Sequence, residues 1–443
     1  MLWSTKPAPL LLLARFGALK TPQFTHSSTR RPNKSLGFPV VRIRDIARGS
    51  TETFYNGDFP PEYIIKRGDL LIGMDGNFRC CEWQGGDAGL NQRVCKITPD
   101  STVLHPKFLF YGLNGYLKAI EDATSSVTVG HLSSRDILQI PFPLPPLSEQ
   151  HRIVAKLEAL LAKVDACHKR LAKIPVILKH FHQSVLAAAC SGRLTADWRE
   201  NNPIVSTDEA LDEPPAGWKS VCLGEVIENL KYGTAQKCDY KSRGVPVLRI
   251  PNVANGTIDH ADLKYAELPP KELEQLRLHP GDILLIRSNG SVSLVGKCAL
   301  AREADGGFAY AGYLIRLRPD AKKILPGFLN LALGSYDVRK QIEIPARSTS
   351  GVNNINSKEV RALRLFLPPL AEQQEIVRRV ASLFALADEI ETRYAKAQAQ
   401  VDKLTPSLLA KAFRGELVPQ DPNDEPASVL LERIRNKTTA QAT

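Results

Sequence analysis

The sequence lacks the short signatures on which most catalytic classes depend. There is no Gly-x-x-x-x-Gly-Lys-Ser/Thr loop to cradle nucleotide phosphates and no Gly-x-Gly-x-x-Gly turn to seat a dinucleotide. His-Glu-x-x-His is absent, and His180-x-His182 has the wrong spacing for two ligands on one helix face, so it reads as helix surface or packing. No Gly-x-Ser-x-Gly elbow presents a nucleophile. No Asn-Pro-Pro-aromatic or Asp-Pro-Pro-aromatic tetrapeptide of the kind used by amino-methyltransferases occurs. The carboxylates are scattered rather than grouped as a nuclease centre needs. Eight cysteines are present, but none form a Cys-x-x-Cys pair; they read as reduced thiols rather than metal ligands or disulfides. Apolar runs are too short to cross a bilayer. The run Leu10–Leu13 is too short for a signal-peptide core and reads as a buried strand or helix piece in a cytoplasmic protein. No metal or cofactor is expected in this chain.

What the sequence does have is positive charge and a duplication. The formal net charge is +11 over 443 residues. Such a balance attracts polyanions, nucleic acid first. The segment Pro145–Val154 matches Pro368–Val377 at seven of ten positions, at an offset of 223. The same offset aligns Ser125-Ser126 with Ser348-Thr349, Ser184–Ala187 with Ser407–Ala410, and Gly192–Leu194 with Gly415–Leu417. Further upstream the spacing drifts: Gly68–Ile72 resembles Gly281–Ile286, and Val40–Ile43 resembles Val247–Ile250. The constant register covers helices held to one length, and the drifting one covers strands whose connecting loops vary.

Each copy has a strand-like part and a helical part. Short β-branched and apolar runs such as Gly68–Ile72, Arg93–Ile97, Gly281–Ile286 and Tyr310–Leu317 are broken by Gly, Pro, Asn and Asp. After Pro-Pro-Leu the period changes. Ile153, Leu157, Leu160, Val164, Cys167, Leu171, Ile174, Leu178, Phe181, Val185 and Ala188 recur in steps of four and three, the a/d pattern of a coiled-coil seam. The second copy gives Ile376, Val380, Leu383, Ala387, Ile390, Tyr394, Ala397, Val401, Leu404 and Leu408. Ser148 is placed to cap the first helix, whereas Ala371 cannot cap the second. Pro175 and Pro406 predict a kink or break in each. About forty helical residues reach roughly 60 Å, too long for one small domain to bury. The predicted fold is α+β: two strand-rich domains separated by two long helices that pair as an antiparallel coiled coil, with an internal pseudo-twofold repeat. The alternative is that each helix packs separately on its own domain.

Pro-Pro-Leu-x-Glu-Gln followed by Ile-Val, Ser191–Arg199 (Ser-Gly-Arg-Leu-Thr-Ala-Asp-Trp-Arg), and Gly415–Ser428 resemble the specificity subunits of Type I restriction–modification systems. The resemblance covers nearly the whole chain and occurs twice. It implies two target-recognition domains, each reading one half of a bipartite sequence in double-stranded DNA. The conserved helical regions would set the gap between the half-sites. It further implies a non-catalytic chain that docks two modification subunits, which would use S-adenosylmethionine. Restriction or translocase subunits using ATP and Mg2+ would join them. The corresponding boundaries are residues 1–144 for the first recognition domain, 145–200 for the first helical region and 201–214 for a linker. Residues 215–367 form the second recognition domain, 368–430 the second helical region and 431–443 a flexible tail. Two other readings stay open: a self-contained methyltransferase or nuclease, and a coiled-coil scaffold that binds protein.

Base contacts need side chains with directed donors and acceptors on loops that can enter a groove. In the second copy these are Arg287, Ser288, Asn289 and Ser291, with Ser348, Thr349, Ser350, Asn353 and Asn354 on another loop. In the first copy they are Asn77 and Arg79, the cluster Asn91, Gln92 and Arg93, and Ser125, Ser126, Thr128 and His131. Ordinary turn chemistry also favours Ser, Asn and Gly at such places. The second copy opens with Gly217–Val226. The first has no clear counterpart in residues 1–35, so its N-terminal part reads as divergent or truncated.

Overall fold

The structure is a computed structural model and describes residues 8–10, 13–17, 37–56, 59–76, 78–124, 132–202, 215, 217–254, 256–344 and 353–440. The chain divides into two compact units. One comprises Met1–Arg170 with Ala397–Thr443, and the other Leu171–Lys396. The division falls inside both helical regions, so each unit holds one strand-rich domain and parts of both.

In the first unit, the strands Ala14–Gly17, Val94–Pro99, Leu70–Gly73 and Cys80–Glu82 form an antiparallel sheet in that order. A second sheet orders Phe54–Tyr55, Phe38–Val41, Ala88–Leu90 and Ile64–Ile65, with a parallel pairing of Val40 to Gly89 at its centre. The central strand Leu70–Gly73 is buried on both faces, which is why it reads as an unbroken apolar run. Successive side chains leave a strand on opposite sides. Leu70 and Ile72 therefore join the core made with the helix Pro106–Thr124, while Leu71 joins Val41, Ile65 and Trp83 in a smaller one.

The second unit repeats this plan. Ile227–Tyr232, Leu314–Pro319, Ile283–Ile286 and Cys298–Leu300 form the antiparallel sheet. Lys264–Ala266, Val245–Leu248 and Ala309–Tyr310 form the other, again with a parallel pairing, Val247 to Ala309. Ile283 and Leu285 face the core shared with the helix Pro326–Gly334, and Leu284 and Ile286 face the other core. Each central strand is entered through a Gly-Asp turn. Gly68 and Gly281 adopt φ of 94° and 92°, where a side chain would be strained.

The N-terminal part, which the sequence reads as divergent or truncated, carries strands where the second copy has them. Ala8–Pro9 pairs with Pro141–Phe142 as Lys219–Cys222 pairs with Arg364–Leu367. Ala14–Gly17 lies beside Val94–Pro99 as Ile227–Tyr232 lies beside Leu314–Pro319. The first copy thus has strands in both places. Pairing through main-chain groups left little similarity of side chains for a sequence alignment to find. Leu10 and Leu13 are fully buried.

Among the described residues four long helices follow the strand-rich parts, Leu147–Leu171, Ile174–Cys190, Leu370–Phe413 and Ala427–Ala440, with the short Ala196–Asn201 after the second. The first break falls where Pro175 predicts it, with the proline at the second position of the new helix. The break expected at Pro406 does not occur. The 44-residue helix Leu370–Phe413 runs through it. An interior proline costs about 3 kcal/mol. Beyond it Leu408, Leu409, Ala412 and Phe413 pack into the first core and offset that cost. Ser148 does not cap. The helix begins one residue earlier, and Gln150 N–H bonds the Pro146 carbonyl as Gln373 N–H bonds that of Pro369. The two starts are therefore equivalent.

Ile153 and Leu157 are buried in the core of the first strand-rich domain and Ile376 and Val380 in that of the second, while Val164 and Ala387 are buried apart from both. Leu160, Leu171, Leu178, Leu383 and Val401 are half-buried. Cys167, Ile390 and Leu404 depart from the pattern and are exposed. Near Cys167 the neighbouring groups are polar: His168 Nδ1 lies 3.7 Å from Asp402 and 3.4 Å from Gln398 Nε2. No helix of the described residues is long and apolar enough to cross a membrane.

Candidate nucleic-acid interface

In the second unit the fold brings the two polar loops together. Ser288-Asn289 pairs antiparallel with Asn353-Asn354, Ser288 opposite Asn354 and Asn289 opposite Asn353. The Asn353 amide donates to the carbonyls of Gly290 at 2.9 Å and Asn289 at 3.3 Å. The Asn289 side chain accepts from Ser291 N–H at 2.8 Å, and Ser291 and Ser293 share a hydroxyl contact of 2.9 Å. Arg287 lies over the Tyr232 ring, 4.7 Å from its centroid, and donates Nε–H to Asn354 Oδ1 at 3.3 Å. Tyr232 is fixed in turn, because its hydroxyl accepts from Ser357 N–H at 2.8 Å. The result is a guanidinium on an aromatic plate beside a patch of amides and hydroxyls. That inventory suits base edges, with Arg on guanine and Asn on adenine. Ser348, Thr349 and Ser350 lie outside the described residues.

In the first unit the two described polar stretches also meet. The exposed Arg93 guanidinium pairs with Asp75, and Asn91 Oδ1 accepts from Arg93 N–H at 3.2 Å. Gln92 and Arg79 are exposed. A surface ion pair contributes about 0–1 kcal/mol, so Arg93 can exchange its carboxylate for another acceptor at little cost. Asn77, Ser125, Ser126, Thr128 and His131 lie outside the described residues.

The repeated Glu-Gln pair is a residue set whose role the sequence did not disclose. Gln150 donates to the carbonyls of Val103 at 2.9 Å and Pro145 at 3.0 Å, and accepts from His105 N–H at 2.7 Å. Gln373 repeats this with Lys323 at 3.2 Å, Pro368 at 2.8 Å and Leu325 N–H at 2.7 Å. Each glutamine ties a helix start to its strand-rich domain. Glu372, fully buried, accepts from Arg199, from Thr195 at 2.7 Å and from Trp218 Nε1–H at 2.9 Å. This holds the end of the first helical region against the start of the second. In the first unit Asp424 accepts from Ser148 and Arg152. Those contacts hold Asp424's carboxyl below its ordinary value, Arg152 contributing most. Buried cysteines shift the other way: burial pushes the Cys95 and Cys298 thiols up to about 12, so they remain protonated packing groups. Among the described residues no group of three metal-ligating side chains occurs.

Two strand-rich domains of one plan, each followed by long helices, define a duplicated recognition fold. The Type I restriction modification DNA specificity domain matches residues 24–176 and 215–399. The chain belongs to that family of specificity subunits, whose role is DNA-sequence specificity and which are not themselves enzymes. It is 38% identical to the Type I restriction enzyme EcoBI specificity subunit of Escherichia coli, over 94% of this chain and 90% of that one. Against the EcoKI specificity subunit of Escherichia coli K12 the identity is 32%, over 91% and 89%. The fold also resembles the HsdS subunit from Thermoanaerobacter tengcongensis, with a TM-score of 0.55 at 21% identity, covering 91% of this chain and 97% of that one. A chain from a study of complex assembly and conformational transition of the type I R-M system gives a TM-score of 0.64 at 22% identity, covering 93% and 100%.

Proposed function

We propose that each strand-rich domain reads one half of a bipartite site in double-stranded DNA, and that the helices fix the distance between the halves. The observation that carries this reading is that in both domains the end of the central strand meets a polar segment and Arg and Asn side chains gather there, from Asn91 and Arg93 in the first and from Arg287, Asn353 and Asn354 in the second. Reading two half-sites from one side of a duplex requires a spacing of about a helical turn, ~34 Å, or a multiple. Helices meet that requirement better than a flexible linker.

The helical regions act as an antiparallel pair. Within the first unit, His168 approaches Asp402 while the earlier Arg152 bonds the later Asp424. Within the second, the His182 ring lies 4.7 Å from that of Phe384 while the later Thr195 bonds the earlier Glu372. In each unit, position rises along one helical region as it falls along the other. The exposed surface of these regions docks two modification subunits, which use S-adenosylmethionine, and restriction subunits, which use ATP and Mg2+. Mapping modified adenines in cells that express the whole system tests the reading. A bipartite motif with a fixed gap is expected; a continuous motif would contradict it.

A further inference from the structure

We infer that Tyr313, with Gln236 and Lys237, forms part of the DNA-reading surface of the second domain, at the place that Arg93 holds in the first. The inference rests on the specificity role proposed above and extends it to residues outside the polar loops.

Three main-chain hydrogen bonds identify the place. Met74 N–H donates to Arg93 O at 3.0 Å, as Arg287 N–H does to Tyr313 O at 2.9 Å. Asn91 N–H reaches Val41 O at 3.3 Å, as Ala311 N–H reaches Leu248 O at 2.9 Å. Val94 N–H closes on Asn91 O at 2.9 Å, as Leu314 N–H closes on Ala311 O at 2.8 Å. Asn91-Gln92-Arg93 and Ala311-Gly312-Tyr313 are therefore the same corner at the entry of the same strand. The first copy fills it with two amides and a guanidinium, the second with two small residues and a ring.

The missing polar groups come from another segment. Thr234 forms a parallel bridge to Ala311, and Gly312 N–H donates to Thr234 O at 2.7 Å. This approach needs glycine before Thr234, because a Cβ on Gly233 would stand 2.2 Å from the Tyr310 carbonyl. The next residues, Gln236 and Lys237, are exposed at the corner. Their side chains make no hydrogen bond among the described residues. With Tyr313 and Arg249, whose guanidinium is held by Asp262 at 2.7 Å, they line a cleft of about 570 Å³. Tyr313 is 63% exposed, a large ring left in water immediately beside the Arg287 strand. A thymine methyl or a sugar would cover such a ring. Gln reads adenine edges, and Lys neutralises a phosphate.

The test uses the complete chain assembled with its modification subunits, with modified adenines mapped and DNA binding measured at graded salt. Tyr313→Ala and Gln236→Ala should each relax one or two base pairs of a single half-site, lowering discrimination about tenfold, and leave the other half-site intact. Lys237→Ala should weaken binding to all sequences alike and reduce the salt slope by about one. Gln236→Ala and Lys237→Ala carry the test should Tyr313→Ala not fold. The inference is overturned if motif and salt slope stay unchanged in all of these while Arg287→Ala relaxes a half-site. If Arg287→Ala also leaves both the motif and the affinity unchanged, the specificity reading of this domain has failed instead.

Discussion

The Trp218 indole N–H donates to the Glu372 carboxylate at 2.9 Å across 154 residues of chain. That bond joins the first turn of the second domain to the helix that leaves it. Arg199 and Thr195 approach the same carboxylate from the end of the first helical region. One buried acid therefore gathers three parts of the sequence.

Removing it should be costly. Glu372→Ala leaves Arg199, whose side chain is only 19% exposed, without its carboxylate, and it strands the indole N–H. Losing one partner of a buried ion pair costs about 3–5 kcal/mol. Chemical denaturation should show a loss of that order, against about 1–3 kcal/mol for Gln373→Ala, which leaves neutral groups unsatisfied. Equal losses would contradict the central role of Glu372.

Arg287→Ala should relax one or two neighbouring base pairs in a single half-site, by about 1–3 kcal/mol each. Adenine mapping in the assembled system reads this directly. Uniform weakening across all sequences would instead assign Arg287 to phosphate.

Removing one heptad within Leu147–Leu171 should change the gap between half-sites and leave both half-site sequences as they were. Altered half-sites with an unchanged gap would sink the idea that the helices set the distance.

Acid should loosen the joints around the helices. Arg378 and Arg379 hold Glu375 down to about 2, and Arg379 lowers Asp197 as well. Folded values below unfolded ones stabilise the fold at pH above the unfolded value, about 4.3 for Glu. That contribution disappears as pH falls from about 5 towards 2. The Tm of Glu375→Gln should therefore decline less steeply below pH 5 than that of the parent; parallel declines would contradict the assignment.

The sequence made the helices and the central strands legible, because Leu70–Ile72 and Ile283–Ile286 are apolar throughout and the seam repeats every seven residues. It also placed Arg287 and Asn354 on separate loops that the fold joins. The N-terminal strands were hidden, since Ala8–Pro9 is defined by pairing rather than by side chains. Tyr313 was hidden as well. An aromatic at a strand entry reads as core, and its correspondence to Arg93 exists only in the hydrogen bonds. The continuity through Pro406 depends on packing further along the helix, which local propensity does not carry.

Gln150 and Gln373 ask nothing of the side chains in the domains they hold. Each takes two carbonyls and one N–H, groups that every non-proline residue presents at those places. The attachment is therefore indifferent to what the reader says. Substitutions that change the bases read can accumulate, or one reader can be replaced by another of the same backbone, without refitting the joint. Evolution of new specificities is thereby uncoupled from maintenance of the frame.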